Sequence, residues 1–239
     1  MAVDHPLSPG GITHALLDTN ALLPPRLSDI LFDLCLQGLF SARWTVDIEA
    51  EFLRNWPRVV AKQRKAGSAP FATQAAIEQA KAARRLACFK GAVLEHEVFG
   101  HDNPAVLASV PSAVNPGDKH VAAAGLVLLS YGQEFNVNDK VNIVSNNLHH
   151  LAASDMAQLG VSVVSPGGFI DSLARADSNR VGLALGNSIG SLKDPPYTRE
   201  QLLDALLLHG AEKTVQHFAA AWGVKLPSKD PVRRPSRGK

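Results

Sequence analysis

Residues 14–24 read HALLDTNALLP. The apolar run stops at Asp18, a polar triplet Asp18-Thr19-Asn20 follows, and Pro24-Pro25 close the stretch. A short apolar run bounded by turn-forming residues predicts a strand buried on both faces. The carboxylate that ends it has two readings. It caps the turn that follows, or it stands at the mouth of a site, because ligands of parallel α/β sheets gather at the carboxyl ends of strands.

Working outward, strands and helices alternate. RLSDILFDLCLQGLF (26–40) places Leu27, Ile30, Leu31, Leu34 and Cys35 on one helical face and stops at Gly38. SARW (41–44) predicts a second short strand, and Thr45 an N-cap for the next helix, which Pro57 interrupts or kinks. An Ala-rich helix covers 71–93, and 96–117 reads as loop containing a strand. DKHVAAAGLVLLSYG (118–132) predicts a buried helix, VNIVSN (141–146) and VSVVSP (161–166) two further strands, with a short helix between them. This order predicts an α/β fold with a parallel sheet covered on both faces. Beyond Pro195-Pro196, Thr198 and Gln201 match a capping box, and Leu202, Leu203, Leu206 and Leu207 form a stripe, so a helical pair follows, packed on the domain or used for docking. The expected organisation is a flexible N-terminus (1–13), an α/β domain (14–180), a C-terminal helical extension (181–224) and a basic disordered tail (225–239).

At 239 residues and 46% hydrophobic, the chain can bury one substantial core. Two cysteines, Cys35 and Cys88, cannot staple a disulfide scaffold and read as buried thiols of a reduced compartment. No signal core and no run of about 18 apolar residues is present, which predicts a cytoplasmic protein without a membrane span. The net charge of +2 is uneven. Residues 54–90 hold nine Lys or Arg against the single acid Glu78, and 227–239 hold five against Asp230, so the rest of the chain is acidic. Lys81, Arg84 and Arg85 read as an outward basic face. Such a block is either a solvated helix surface or the footprint of a polyanion such as RNA.

Three segments deliver short polar groups toward one sheet edge: Asp18 after the first strand, Asp118 at the start of the buried helix, and Ser145-Asn146-Asn147 after VNIV. Each alone has an ordinary explanation, as cap, first-turn acid or turn. Carboxylates brought together repel unless a cation neutralises them, and hard divalent ions such as Mg²⁺ or Mn²⁺ suit oxygen ligands.

Taken in order, LLDTNALLPPRLSDILFDLCLQGLFSARWTVDIEAEFLRN (16–55), NPGDKHVAAAGL (115–126), IVSNNLHHL (143–151) and LGVSVVSPGGFI (159–170) resemble the PIN-domain ribonucleases, in the branch of VapC-like toxins. The resemblance covers about residues 14–175. It implies a three-layer α/β/α fold with a central parallel sheet of about five strands, one or two Mg²⁺ or Mn²⁺ ions, and hydrolysis of RNA phosphodiesters. It implies as partners a cognate antitoxin protein and, in many members, a second copy as a homodimer. Position by position, Asp18, Glu51 and Asp118 match the metal-binding acids. Asn20 and Ser145 match the small polar residues near the metal, and Asn147 the asparagine of the late motif. Arg54 and His120 match basic residues beside the acids.

Two positions depart from that pattern: His150 stands where the branch usually has an acid, and Asn115 where it often has Asp. Either neutral His150 ligates a metal, or the second metal site is weakened. Asp155 could replace the acid only if its loop folds back. Two rival readings follow. A degenerate PIN module would bind RNA or a protein without cutting. A haloacid-dehalogenase-like phosphatase would use Asp18 as nucleophile, but it requires a second acid where this chain has Asn20.

Overall fold

A computed structural model describes residues 11–63, 71–135, 138–191 and 197–226. The expected N-terminal segment up to residue 10, Arg64 and Lys65 of the basic block, Pro195-Pro196 and the tail from 227 lie outside them, as does the side chain of Lys62.

The four strands are β1 (Thr13–Leu17), β2 (Ser41–Arg43), β3 (Lys140–Val144) and β4 (Val161–Val164). They form one sheet of order β2-β1-β3-β4, parallel throughout. The helices are α1 (Thr19–Leu22), α2 (Pro25–Leu36), α3 (Val46–Gln63), α4 (Phe71–Ala92), α5 (Pro104–Ser109), α6 (Lys119–Phe135), α7 (Ala153–Gln158), α8 (Pro166–Ala176), α9 (Ser178–Ser191), α10 (Arg199–Leu208) and α11 (Glu212–Trp222), with a 3₁₀ turn at Pro116–Asp118. Helices cover the sheet, as the unbroken apolar strands require. Ala15, Leu16, Leu17, Ile143 and Val144 are fully buried.

The sheet has four strands among the described residues, not about five. The strand expected within 96–117 is reduced to a single bridge, Trp44 to Glu97. Pro104 and Asn103 instead start α5, with Asn103 accepting from Ala105 N (2.9 Å), and Pro111 and Pro116 remove donors that a ladder needs. Pro57 lies inside α3 without ending it. Cys88 is exposed and Cys35 half-buried, contrary to the expectation of two buried thiols. On α4, Ala82, Leu86 and Phe89 face the core, and Cys88 falls off that face.

The division at residue 180 falls inside α9, which packs on α2. The α10–α11 pair is part of the same core, since Leu202, Leu203, Leu206, Val215 and Phe218 are buried in it. The capping box of Thr198 and Gln201 is present. Ala211, at the start of α11, offers no side-chain cap, and Asp171 of α8 supplies it instead. Its carboxylate accepts from Lys213 N (3.1 Å), Thr214 N (2.8 Å) and Thr214 Oγ1 (2.7 Å).

The sheet carries a pH-sensitive pair at its other end. His14 Nε2 lies 3.3 Å from Asp139 Oδ2, and Asp139 Oδ1 accepts from Ile12 N (2.7 Å). Burial holds the His14 imidazole below its ordinary 6.5, against the pull of Asp139. The unfolded chain therefore takes up this proton more readily, so stability is full above about pH 6.5 and falls as the pH drops below it. His14→Gln is expected to flatten part of that acid-side slope in urea denaturation between pH 7.5 and 5.5. An unaltered slope would place the titration elsewhere.

Candidate active site

The chain leaves central strand β1 for β2 on one side and reaches β3 on the other. The strand order therefore reverses between β1 and β3, and a crevice forms outside their carboxyl ends. Asp18 follows β1 and Ser145 follows β3, so these neighbouring strands place both residues at that crevice. The backbones are locked there by Asp18 N donating to Val144 O (3.2 Å) and Ser145 N to Val164 O (3.0 Å).

Asp18 both caps and faces the crevice. Its Oδ1 accepts from Thr19 N (2.6 Å), as the N-cap of α1. Its Oδ2 accepts from Ser145 Oγ (2.6 Å) and Asn20 Nδ2 (2.5 Å). Ser145 Oγ also accepts from Asn20 Nδ2 (3.0 Å) and Asn147 N (2.9 Å), while Asn20 Oδ1 accepts from Asn146 N (2.7 Å). The Asp-x-Asn opening and the Ser-Asn-Asn segment are thus one network joining two strand ends. Asp18 is only 3% exposed, and burial pushes its carboxyl above the ordinary 3.8. The charges of Asp118 and Glu51 add to that rise, and the bonds from Ser145 and Thr19 oppose it. Asp18 therefore feels the charge of both other acids predicted from sequence.

Asp118 closes the 3₁₀ turn before α6, but it is not the cap. Asn115 accepts from Gly117 N (3.0 Å) in that role. The Asp118 carboxylate is left facing His150, whose Nδ1 is 3.6 Å from Oδ2. Glu51 is tied down by Thr19, whose Oγ1 donates to Oε2 (2.8 Å), while Oε1 lies 3.8 Å from both Arg54 Nη2 and His120 Nε2. Thr19 is the residue that sequence reading missed, although its place inside the Asp-Thr-Asn triplet was visible. His120 Nε2 is buried without a hydrogen-bond partner. Asp155 joins none of these acids in a hydrogen bond or ion pair.

Among the described residues, no three His, Cys, Asp or Glu side chains stand close enough together to form a ready-made metal cage. The donor chemistry is nonetheless that of a hard cation: carboxylates and hydroxyls, with one acid whose pKa is raised first by burial and further by the charges of Asp118 and Glu51.

The basic face is not uniform. Arg84 is exposed, and Lys81 pairs with the buried Glu78 (2.9 Å). Arg85, expected to point outward, is turned inward. Its Nη2 donates to Pro25 O (2.8 Å), Ser28 Oγ (2.8 Å) and Asp29 Oδ1 (2.5 Å), and the guanidinium lies over Phe89, 4.9 Å from the ring centroid. It clamps α4 to α2 through Nη2, which three oxygens of α2 surround. No described helix is long and apolar enough to cross a membrane.

Compared with known protein families, curated proteins and solved structures, the chain matches none.

Proposed function

We propose that the chain is a Mg²⁺- or Mn²⁺-dependent endoribonuclease, as its resemblance to PIN-domain ribonucleases implies. The observation that carries this reading is the buried Asp18 at the β1/β3 crossover, held by Ser145 and Asn20 and within electrostatic reach of Glu51 and Asp118. Those three acids would hold the ion, and His150 stands beside Asp118 to assist. When bound, such an ion would lower the pKa of a water and neutralise negative charge on the phosphate oxygens. Asn20 and Ser145 fix the Asp18 carboxylate in one orientation. Arg54, exposed one turn after Glu51, is placed to meet a phosphate oxygen. In this proposal the protein is cytoplasmic and is the toxin of a toxin–antitoxin pair, with the antitoxin covering the acids.

A test is to incubate the protein with total RNA in Mn²⁺ and map new 5′ ends. Discrete cuts that chelator abolishes support the reading, and their absence with any structured RNA overturns it. A second reading, RNA binding without cleavage, is favoured by the engagement of Glu51 with Thr19, Arg54 and His120.

The basic face gives a separable expectation. Arg84→Ala should lower RNA affinity and reduce the salt slope by about one counterion without changing stability. Arg85→Ala should instead cost about 2 kcal/mol in urea denaturation, because it removes the hydrogen bonds that tie α4 to α2 and takes the ion-pair partner from Asp29. Equal salt slopes in wild type and Arg84→Ala would place the RNA on another face.

A further inference from the structure

The loop after β3 opens into a cleft of about 670 Å³ that His150 lines, a volume in the range of ligand pockets. Asn115 forms one wall, and Leu148, His149, His150, Ser154 and Asp155 line the rest. The walls are joined by Asn115 N donating to His150 O (2.8 Å), and His150 links the cleft to Asp118. Its polar groups are largely unengaged. The side chains of His149, Ser154 and Asp155 have no hydrogen bond or ion pair among the described residues, and Asn115 uses only its Oδ1. Ala152, on the same lining, has φ 45°, the one non-glycine residue with positive φ among those described. A non-glycine residue rarely keeps that conformation unless the surrounding loop enforces it.

A cleft with an apolar side and unspent donors and acceptors, linked through His150 to Asp118 at one end, suits the base of a nucleotide whose phosphate lies toward the end where the acids would hold a metal. Asp155 narrows the base. An ionised carboxylate only accepts, and it accepts best from two adjacent donors. Among the four RNA bases, guanine presents such a pair on its Watson–Crick edge, N1–H beside N2–H. Unstacked bases are read on that edge and are packed against rings and apolar side chains, which Leu148 and His149 provide. We propose that this cleft seats a guanine flanking the scissile phosphate, with Asp155 accepting from N1–H and N2–H. The base site needs no metal, but its role beside a scissile phosphate rests on the nuclease reading above.

The test uses the full chain without metal. The four ribonucleoside 5′-monophosphates are titrated while the NMR signals of the Asn115 amide and the His149 ring are followed. The phosphate charge is common to all four, so differences report the base. GMP is expected to bind about fivefold or more tighter than the other three, the low end of what a two-point contact supplies, and Asp155→Asn should erase that preference. Asp155 has no internal partner to lose, so the variant should keep the wild-type melting temperature. The cleavage map of the same variant is the second arm, and guanine enrichment beside the cuts should vanish. A GMP preference in a protein that cuts no RNA keeps the base site and ends the nuclease reading. Equal binding of all four nucleotides, or cuts with unchanged base preference in Asp155→Asn, overturns the base site alone.

Discussion

Asp18→Asn is expected to lower Mn²⁺-dependent RNA cleavage by at least about a hundredfold, close to 3 kcal/mol of transition-state stabilisation, with the fold intact. The substitution is nearly isosteric and keeps an oxygen for Thr19 N. Its amide nitrogen, however, faces Ser145 and Asn20, both of which donate to the present carboxylate. Ser145 Oγ already accepts from Asn20 and Asn147, so it cannot simply reverse its role. Losing both the Ser145 and the Asn20 hydrogen bonds to the carboxylate has a cost of about 2 kcal/mol. Relief from a buried charge pressed by two others, the cause of the raised Asp18 pKa, offsets it. The metal-free melting temperature should therefore stay within a few degrees of wild type. Mn²⁺ should raise the melting temperature of wild type and not that of the variant, because only a ligand bound to the native state stabilises it. Cleavage at the wild-type rate in the variant would remove Asp18 from the site. The paired thermal measurement separates this from misfolding.

The fold was legible because its strands are short, apolar and bounded by Gly, Pro and Asp. Three of the four strand positions follow from that pattern alone, and β2 from its place between two helices. In 96–117 only the Trp44–Glu97 bridge stands where a strand was expected, because the prolines and the Asn103 cap decide for helix and turn. In the candidate site, Asp18, Asn20 and Ser145 were legible because each ends or follows an apolar strand. Thr19 was not, since its role depends on Glu51 arriving from α3, a contact 32 positions away in sequence. Arg85 shows the converse failure. Helical periodicity placed it beside Arg84 on a basic surface. Its guanidinium bends back to α2 because Asp29 and two oxygen acceptors wait there, and only tertiary structure brings them within reach.

The largest expected loss of stability comes from a residue remote in sequence from the acids. Gly167→Ala should cost about 3 kcal/mol, at the severe end of overpacking, and lower the melting temperature by about 9 °C for a chain of this size. A Cβ at Gly167 would lie 2.3 Å from Gly210 C and His209 O and 2.5 Å from Ala211 N. These are backbone atoms of the α10–α11 turn, so no side chain can rotate away. The turn must move, and Gly210 at φ 84° and the fully buried Ala211 leave it little freedom. Moving it also pulls Lys213 and Thr214 from Asp171, which caps α11 from α8. Two independent attachments of the C-terminal pair are therefore strained by one methyl group. Gly186→Ala supplies the control. It lies in the interior of α9 with nothing within 4 Å of the new Cβ, so it should stabilise by about 0.5–1 kcal/mol through helix propensity and reduced unfolded-state freedom. A Gly167→Ala protein as stable as Gly186→Ala would mean that the α10–α11 pair does not dock as described. Retained cleavage in a destabilised Gly167→Ala, measured well below its melting temperature, would show that the pair supports the fold without shaping the crevice at β1 and β3.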